Sequence, residues 1–233
     1  MRRELPILRE SELPGVRVAW GALDDPRRVP AELEGCLSAS ERERAGRFRF
    51  EPDRRRFVVA HAILRGLLAE ALDWDPKGVE IVTDAFGKPR LGAAASGLAF
   101  NLSHTGERAL YALAPGVELG VDAEELKPLG DMSRLAQDVF SASELAEWKA
   151  LPEAERVAGF FGGWTRKEAV LKALGRGLDY PLRAFSVSLA PAGAARLLHA
   201  PVETGPASEW SLTSFCPEPG YLAAVVARRE AAR

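Results

Sequence analysis

Cysteine and histidine are scarce in this chain. It contains two cysteines, Cys36 and Cys216, and three histidines among 233 residues. The two cysteines lie far apart in the sequence, and neither has a neighbour at the spacing of metal ligands. These absences argue against a disulfide-stapled domain and against a zinc site.

Long apolar runs and a marked excess of one charge are also missing. No apolar stretch is long enough to span a bilayer, and the first residues lack the apolar core of a signal peptide, so we expect a cytoplasmic protein that does not bind membranes. The formal net charge is -2. Bulk binding to nucleic acid or to an anionic membrane needs a basic excess, which this sequence does not have.

The chain does have an ordinary globular composition and an internal repeat. Its hydrophobic fraction is 47% and its charged fraction is 27%, as in most soluble domains. Ser-Ala-Ser-Glu occurs at Ser38 and again at Ser141, and Ala62-Ile-Leu-Arg65 resembles Ala169-Val-Leu-Lys172. In each copy of the tetrapeptide, the serine and the glutamate have the spacing of a helix capping box.

This repeat predicts the fold. We expect an α/β (α+β) chain of two similar lobes, residues 1–115 and 116–233, related by a pseudo-twofold axis. Each lobe would be an antiparallel sheet with helices packed on one side. A cleft between two such lobes is a natural ligand site, and a single chain would then supply a complete site as a monomer.

Acidic residues are predicted on one face of a helix and one face of a strand. Residues 164–174 predict a helix on which Trp164, Glu168 and Lys172 share a face. Asp122 and Glu124 are two residues apart on a predicted strand and therefore point to the same side. Singly, these patterns also fit an exposed ion pair and a solvated strand edge. Together, the three carboxylates suit Mg²⁺, with Mn²⁺ as the alternative ion.

Several basic and polar side chains have the character of anion ligands. Arginine offers a bidentate fork for phosphate. Ser103 and His104 are expected at the end of a strand at 98–102, where main-chain N–H groups are free to meet a phosphate. Singly, each fits a surface charge or a structural hydrogen bond. Together they predict a polyphosphate ligand held by both lobes; the residues are Arg44, Arg56, Lys88, Ser103 and His104.

A set of motifs gives the sequence a resemblance to a known family. In chain order they are Phe86-Gly-Lys-Pro89, Phe100-Asn-Leu-Ser-His104, Gly120-Val-Asp-Ala-Glu124, Phe140-Ser141, and Trp164-Thr-Arg-Lys-Glu-Ala-Val-Leu-Lys172 with Gly175-Arg-Gly-Leu178. The set resembles the 4'-phosphopantetheinyl transferases of the larger, pseudo-dimeric class that activates surfactin synthetase. Two positions depart from the family pattern: Ala123, usually isoleucine, and Glu41, where some members place a lysine for the ligand's phosphate.

The resemblance implies coenzyme A as donor and a serine of an acyl or peptidyl carrier protein as acceptor. The serine hydroxyl would attack the β-phosphorus, and 3',5'-adenosine diphosphate would leave. The family pattern implies Mg²⁺ bound by Asp122, Glu124 and Glu168. It also implies that Glu168 deprotonates the serine, directly or through a water, and that Lys172 neutralises the leaving phosphate. The donor contacts that it implies are Arg44, Arg56, Lys88, Pro89, Ser103, His104 and Lys172.

Two other kinds of protein compete with this interpretation. A coenzyme A or nucleotide binding module without transferase activity would keep the basic contacts and lose the carboxylates, which are all present here. A metal-dependent phosphohydrolase would use the same acids without the Phe-Gly-Lys-Pro and Asn-Leu-Ser-His motifs or a surface for a carrier protein.

Overall fold

The computed structural model describes residues 5–177, 180–190 and 194–229. Leu178, the last residue of the motifs above, lies outside these ranges. The helices are α1 (Pro30–Leu33), α2 (Ala39–Gly46), α3 (Glu51–Leu72), α4 (Met132–Val139), α5 (Ala142–Ala150) and α6 (Glu153–Leu174). The strands are β1 (Arg9–Glu10), β2 (Arg17–Ala22), β3 (Ile81–Thr83), β4 (Pro89–Leu91), β5 (Leu98–Thr105), β6 (Arg108–Pro115), β7 (Val117–Glu125), β8 (Ser186–Val187), β9 (Leu197–His199), β10 (Trp210–Phe215) and β11 (Tyr221–Arg229).

Two antiparallel sheets of matching topology form the framework. The first has the strand order β1-β2-β6-β5 and the second the order β10-β11-β7, and β3–β4 and β8–β9 add a small hairpin to each half. Each half also has one long helix, α3 or α6, of 22 residues. The two-lobe α+β fold is thereby confirmed. The lobe boundary after residue 115 stays a prediction; β6 ends at Pro115 and β7 begins at Val117.

Three large apolar clusters form most of the core of the described residues. One apolar cluster sits between α3 and the first sheet, and a second sits between α6 and the second sheet. A third joins the two sheets and includes Leu110 and Ala112 of β6 with Val121 of β7 and Val225 of β11. Burying a leucine or valine side chain contributes about 1.5–3 kcal/mol, so the hydrophobic effect that folds each lobe also binds the two lobes to each other.

Polar side chains join β5 to β7 where the two sheets meet. At every second residue, a side-chain oxygen of β5 accepts a hydrogen bond from a main-chain N–H of β7. The pairs are Asn101 with Val121 at 3.0 Å, Ser103 with Ala123 at 3.4 Å, and Thr105 with Glu125 at 3.3 Å. Strand residues alternate between two sides, so a single polar repeat in β5 fixes its register against β7.

Both predicted capping boxes are present. The hydroxyl of Ser38 accepts from the amide of Glu41 at 3.2 Å, and the Glu41 carboxylate accepts from the amide of Ser38 at 2.7 Å. Ser141 and Glu144 repeat the arrangement at 3.4 and 2.7 Å. The repeat therefore marks the start of the same helix, α2 or α5, in each lobe.

Two sequence-based boundaries were wrong. Helix α6 begins at Glu153, eleven residues before Trp164, because its internal glycines serve close packing: a Cβ on Gly163 would lie 2.4 Å from Leu189 and 2.6 Å from Phe140. Strand β5 continues to Thr105, so Ser103 and His104 lie within the ladder with β6 and not at a strand end. No helix of the described ranges has the length and apolar character needed to cross a membrane.

Candidate functional site

Helix α6 lies directly on strand β7 because Gly120 has no side chain. A Cβ atom at Gly120 would lie 2.0 Å from the carbonyl oxygen of Ala169 and 2.4 Å from the amide nitrogen of Ala173. Such distances are far inside van der Waals contact, so only glycine permits this approach. The polar face of α6 is thereby brought against Asp122 and Glu124, two and four residues further along β7.

Asp122, Ser103 and Lys172 form a closed triangle at this contact. The Lys172 ammonium donates to Asp122 Oδ1 at 2.6 Å and to Ser103 Oγ at 2.8 Å, and Ser103 Oγ donates to the same Asp122 oxygen at 2.8 Å. Asp122 is 4% exposed. Burial raises the pKa of its carboxyl, and the charge and hydrogen bond of Lys172 oppose that rise. One residue from each of β5, β7 and α6 therefore meets here.

Glu124 is held by an indole and a hydroxyl. Trp164 Nε1 donates to one carboxylate oxygen at 3.1 Å, and Thr105 Oγ1 donates to the other at 3.2 Å. Burial raises the pKa of Glu124, and the neighbouring Asp122 raises it further, because two close carboxylates resist ionising together. Trp164 and Lys172 thus lie on one face of α6 and contact Glu124 and Asp122 of β7, as their spacing predicts.

Glu168 lies between Trp164 and Lys172 along α6. Burial raises its pKa to about 7, helped by the charges of Asp122 and Glu124 and opposed by Lys172. A carboxyl with a pKa near 7 exchanges its proton easily at neutral pH, as a general base must. The three acids therefore belong to one electrostatic cluster, although their contacts differ.

The acids of this cluster offer carboxylate oxygens of the kind that bind divalent cations. No three Asp, Glu, His or Cys side chains of the described ranges lie close enough together to enclose a metal ion. Lys172 occupies Asp122 Oδ1, and Glu124 is turned toward Trp164 and Thr105. Yet two buried carboxylate oxygens, Asp122 Oδ2 and Glu168 Oε1, have no hydrogen-bond partner among the described residues. Buried acceptors of this kind need a partner, and hard carboxylate oxygens are the ligands of Mg²⁺ and Mn²⁺.

Lys88 points into the protein. Its ammonium donates to the main-chain oxygen of Ala173 at 2.6 Å and to Glu118 Oε2 at 3.0 Å. The residue is 5% exposed, and burial lowers the pKa of its ammonium while Glu118 opposes that effect. The predicted role of Lys88 in holding the donor stays a prediction, and its neighbour Pro89 is exposed at the start of β4.

The other predicted basic residues lie on the first lobe. Arg44 is exposed, with its guanidinium 5.3 Å from the centre of the Phe57 ring. That ring stacks on His61 at 3.9 Å. Burial lowers the pKa of His61, and its hydrogen bond to the main-chain oxygen of Phe57 opposes that effect. His104 is exposed. The roles of Arg44 and His104 in binding the donor stay predictions.

Arg56 and Glu41 already have protein partners. Arg56 donates to Asp24 at 3.0 Å and lies 3.5 Å from Glu107, and the bond to Asp24 raises its pKa. Glu41, at the position where some relatives have lysine, accepts from the buried Arg65 at 2.7 Å besides closing its capping box. Glu41 therefore has a structural role in this chain.

Four contributors to the site were missed by the sequence analysis. Asn101 and Thr105 bond β5 to β7. Gly120 allows α6 to lie directly on β7, and Glu118 accepts a hydrogen bond from Lys88. The polar residues at every second position of 101–105 were a usable signal, because period two marks one side of a strand. Gly120 and Glu118 gave no such signal.

Two family models match the two halves of the chain. A family model described as "4'-phosphopantetheinyl transferase superfamily" matches residues 118–226, and one described as "4'-phosphopantetheinyl transferase, N-terminal" matches residues 29–115.

Among curated relatives, the 4'-phosphopantetheinyl transferase HetI of Nostoc is 38% identical over 87% of this chain and 83% of its own length. The 4'-phosphopantetheinyl transferase psf-1 of Bacillus pumilus is 32% identical over 90% and 88%. The 4'-phosphopantetheinyl transferase Sfp of Bacillus subtilis is 29% identical over 66% of each chain.

Proposed function

We propose a specific reaction on the premise that this chain belongs to the 4'-phosphopantetheinyl transferases of the Sfp-type class, as its family models and relatives show. The chain transfers the 4'-phosphopantetheine group of coenzyme A to a serine of an acyl or peptidyl carrier protein and releases 3',5'-adenosine diphosphate. The observation that carries the proposal is the cluster of Asp122, Glu168 and Lys172, in which two carboxylate oxygens have no hydrogen-bond partner among the described residues. The cytoplasmic address and the monomeric state stay predictions.

The acids have two tasks in this proposal. Asp122, Glu124 and Glu168 would hold Mg²⁺ or Mn²⁺, which when bound neutralises charge on the pyrophosphate. Glu168 also accepts the proton of the carrier serine, directly or through a water, as the serine oxygen bonds to the β-phosphorus. Its pKa near 7 supports that task at neutral pH.

Lys172 stabilises the leaving group. The bond from the β-phosphorus to the bridging oxygen breaks, and negative charge grows on the α-phosphate. The ammonium of Lys172, one helical turn from Glu168, would lie near the α-phosphate at that end of the breaking bond. Because the charge grows during the reaction, Lys172 favours the transition state over the ground state.

The first lobe holds the rest of coenzyme A. Phosphate and adenosine contacts are proposed for Arg44, Arg56, Pro89, Ser103 and His104. The ammonium of Lys88 is not among them, because it is buried against Glu118 and the main chain of Ala173. The exposed guanidinium of Arg44 and the exposed His104 support these contacts, because both are accessible to an anion. Phosphoryl transfer needs positioning and charge neutralisation more than covalent help, and this division of residues provides both.

One assay separates the transferase from its alternatives. The protein is incubated with coenzyme A, Mg²⁺ and an apo carrier protein, and the carrier is weighed by intact mass spectrometry. A transferase adds one phosphopantetheine group; a binding module leaves the carrier unchanged; a phosphohydrolase consumes coenzyme A without modifying the carrier. Asp122→Asn is the matched variant, and we expect it to lose on the order of 10²-fold or more in rate.

A further inference from the structure

Lys88 has a structural environment that its assignment as a donor contact does not explain. Its side chain is 4% exposed, and two of its three ammonium hydrogens are directed to protein acceptors, Glu118 and the main chain of Ala173. A side chain in that position has little surface left for a phosphate.

The Ala173 carbonyl belongs to the last turn of α6, where main-chain oxygens lack partners within the helix. Gly175 donates its N–H to the oxygens of Leu171 and Lys172, and Arg176 donates to Leu171. The oxygen of Ala173 is bonded by Lys88. A cation at the C-terminal end of a helix is also favoured by the helix dipole.

The turn before Lys88 is fixed so that this contact forms. Asp84 Oδ1 accepts from the amides of Phe86 and Lys88, each at 3.0 Å. Arg90 bridges Asp84 at 2.9 Å and Glu118 at 3.1 Å. The β3–β4 hairpin of the first lobe thereby contacts β7 of the second lobe through the bonds of Arg90 and Lys88 to Glu118. Lys88 also contacts α6 through the main chain of Ala173.

Gly175 provides the space for the lysine stem. It has φ +70°, and a Cβ there would lie 3.1 Å from Lys88 Cβ. The stem of Lys88 therefore passes close over the residue that ends α6. Lys172 is the residue before Ala173, and Glu168 is one turn back.

We propose that Lys88 is a positioning residue: it acts on the reaction by fixing the last turn of α6, which carries Lys172, and not by contacting coenzyme A. This inference rests on the proposed function. A residue that sets the placement of Lys172 affects the chemical step, whereas a residue that holds the 3'-phosphate affects binding of the donor.

Kinetics of Lys88→Met test the inference, because methionine keeps much of the stem and removes the ammonium. We expect kcat to fall by roughly 10- to 100-fold, equally with coenzyme A and 3'-dephospho-coenzyme A, and KM for both donors to stay within about threefold of wild type. Hydrogen exchange at the Gly175 and Arg176 amides is expected to accelerate. The matched control is Arg90→Gln, which loses the contacts to Asp84 and Glu118 and keeps the bond from Lys88 to Ala173; its kcat is expected to stay within about threefold of wild type.

A rise in KM confined to coenzyme A would overturn the inference, and so would an unchanged kcat. Lysine footprinting of the wild-type protein by reductive methylation needs no variant. Lys88 is expected to stay unreactive with and without coenzyme A, while Lys172 becomes protected by it and the exposed Lys77 reacts in both cases. Reactivity of Lys88 that coenzyme A suppresses would also overturn it. Absence of transfer by the wild-type chain would instead refute the proposed function.

Discussion

Gly120→Ala tests the contact on which the site depends. The added Cβ would lie 2.0 Å from the Ala169 carbonyl oxygen, whereas ordinary contact begins at 3.4 Å, so α6 must move away from β7 by about 1.4 Å. The atoms in the way are main chain, and a side-chain rotation cannot relieve the overlap. The shift would carry Glu168 and Lys172 away from Asp122.

We expect the displacement to cost stability and activity separately. Overpacking of a buried contact costs about 3 kcal/mol, which for a chain of this length lowers Tm by roughly 6–12 °C. A misplacement of about 1 Å costs on the order of 10²-fold in rate. The assays are a thermal melt and single-turnover transfer to a carrier protein at 20 °C below the variant's Tm, where it is folded.

Gly162→Ala is the control on the same helix. A Cβ atom added at Gly162 would lie 3.9 Å from the nearest atom, in Arg166, so it would overlap with nothing. Replacing glycine by alanine inside a helix is favourable by up to about 1 kcal/mol. Wild-type Tm and rate in Gly120→Ala would show that α6 is free to move without consequence and would refute the argument.

Three further predictions concern charges. The free energy of unfolding of Glu168→Gln, measured with denaturant in EDTA, should exceed that of wild type by about 1–3 kcal/mol at pH 8 and equal it near pH 4. The reason is that the buried charge of Glu168 costs stability progressively as pH rises from 4.5 to about 7. A difference that does not depend on pH would contradict this. Lys172→Met should tighten Mn²⁺ binding without coenzyme A, on the order of tenfold by electron paramagnetic resonance, because the ammonium 2.6 Å from Asp122 competes with a cation; unchanged or weaker binding would contradict it. Glu144→Gln should lower the free energy of unfolding by about 3–5 kcal/mol, because it leaves the fully buried Lys167 ammonium without its carboxylate at 2.8 Å; a loss under 1 kcal/mol would contradict it.

Local patterns predicted local structure well. The capping boxes at Ser38 and Ser141, and the shared face of Trp164 and Lys172, follow from spacing along one element, which the sequence records directly. The prediction that Asp122, Glu124 and Glu168 bind one metal ion stays a prediction, because no three such side chains of the described ranges lie close enough together to enclose an ion in this structure.

The sequence could not show contacts between residues that are distant in the chain. Lys88 looks like an exposed anion ligand in its Gly–Pro turn, and only the fold reveals that the turn directs it to Ala173 and Glu118, both distant in the chain. The start of α6 was missed for a related reason: glycine is unfavourable in an isolated helix, and only the packing of Gly163 against Phe140 explains its presence there.

The internal repeat gives α3 and α6 equivalent faces, and the contacts of the two faces differ. The repeated segments place Phe57, His61 and Arg65 of α3 where α6 has Trp164, Glu168 and Lys172. In α3, however, Arg65 is 2% exposed and donates to Glu41 and to the main chain of Pro76 and Val79, so its charge stabilises the first lobe and is inaccessible to a ligand. In α6 the corresponding Lys172 reaches across to Ser103 of the other lobe. The two copies of this helix therefore differ in their contacts: Lys172 of α6, the proposed leaving-group cation, bonds to Asp122 and Ser103 where the lobes meet, whereas Arg65 of α3 bonds within the first lobe.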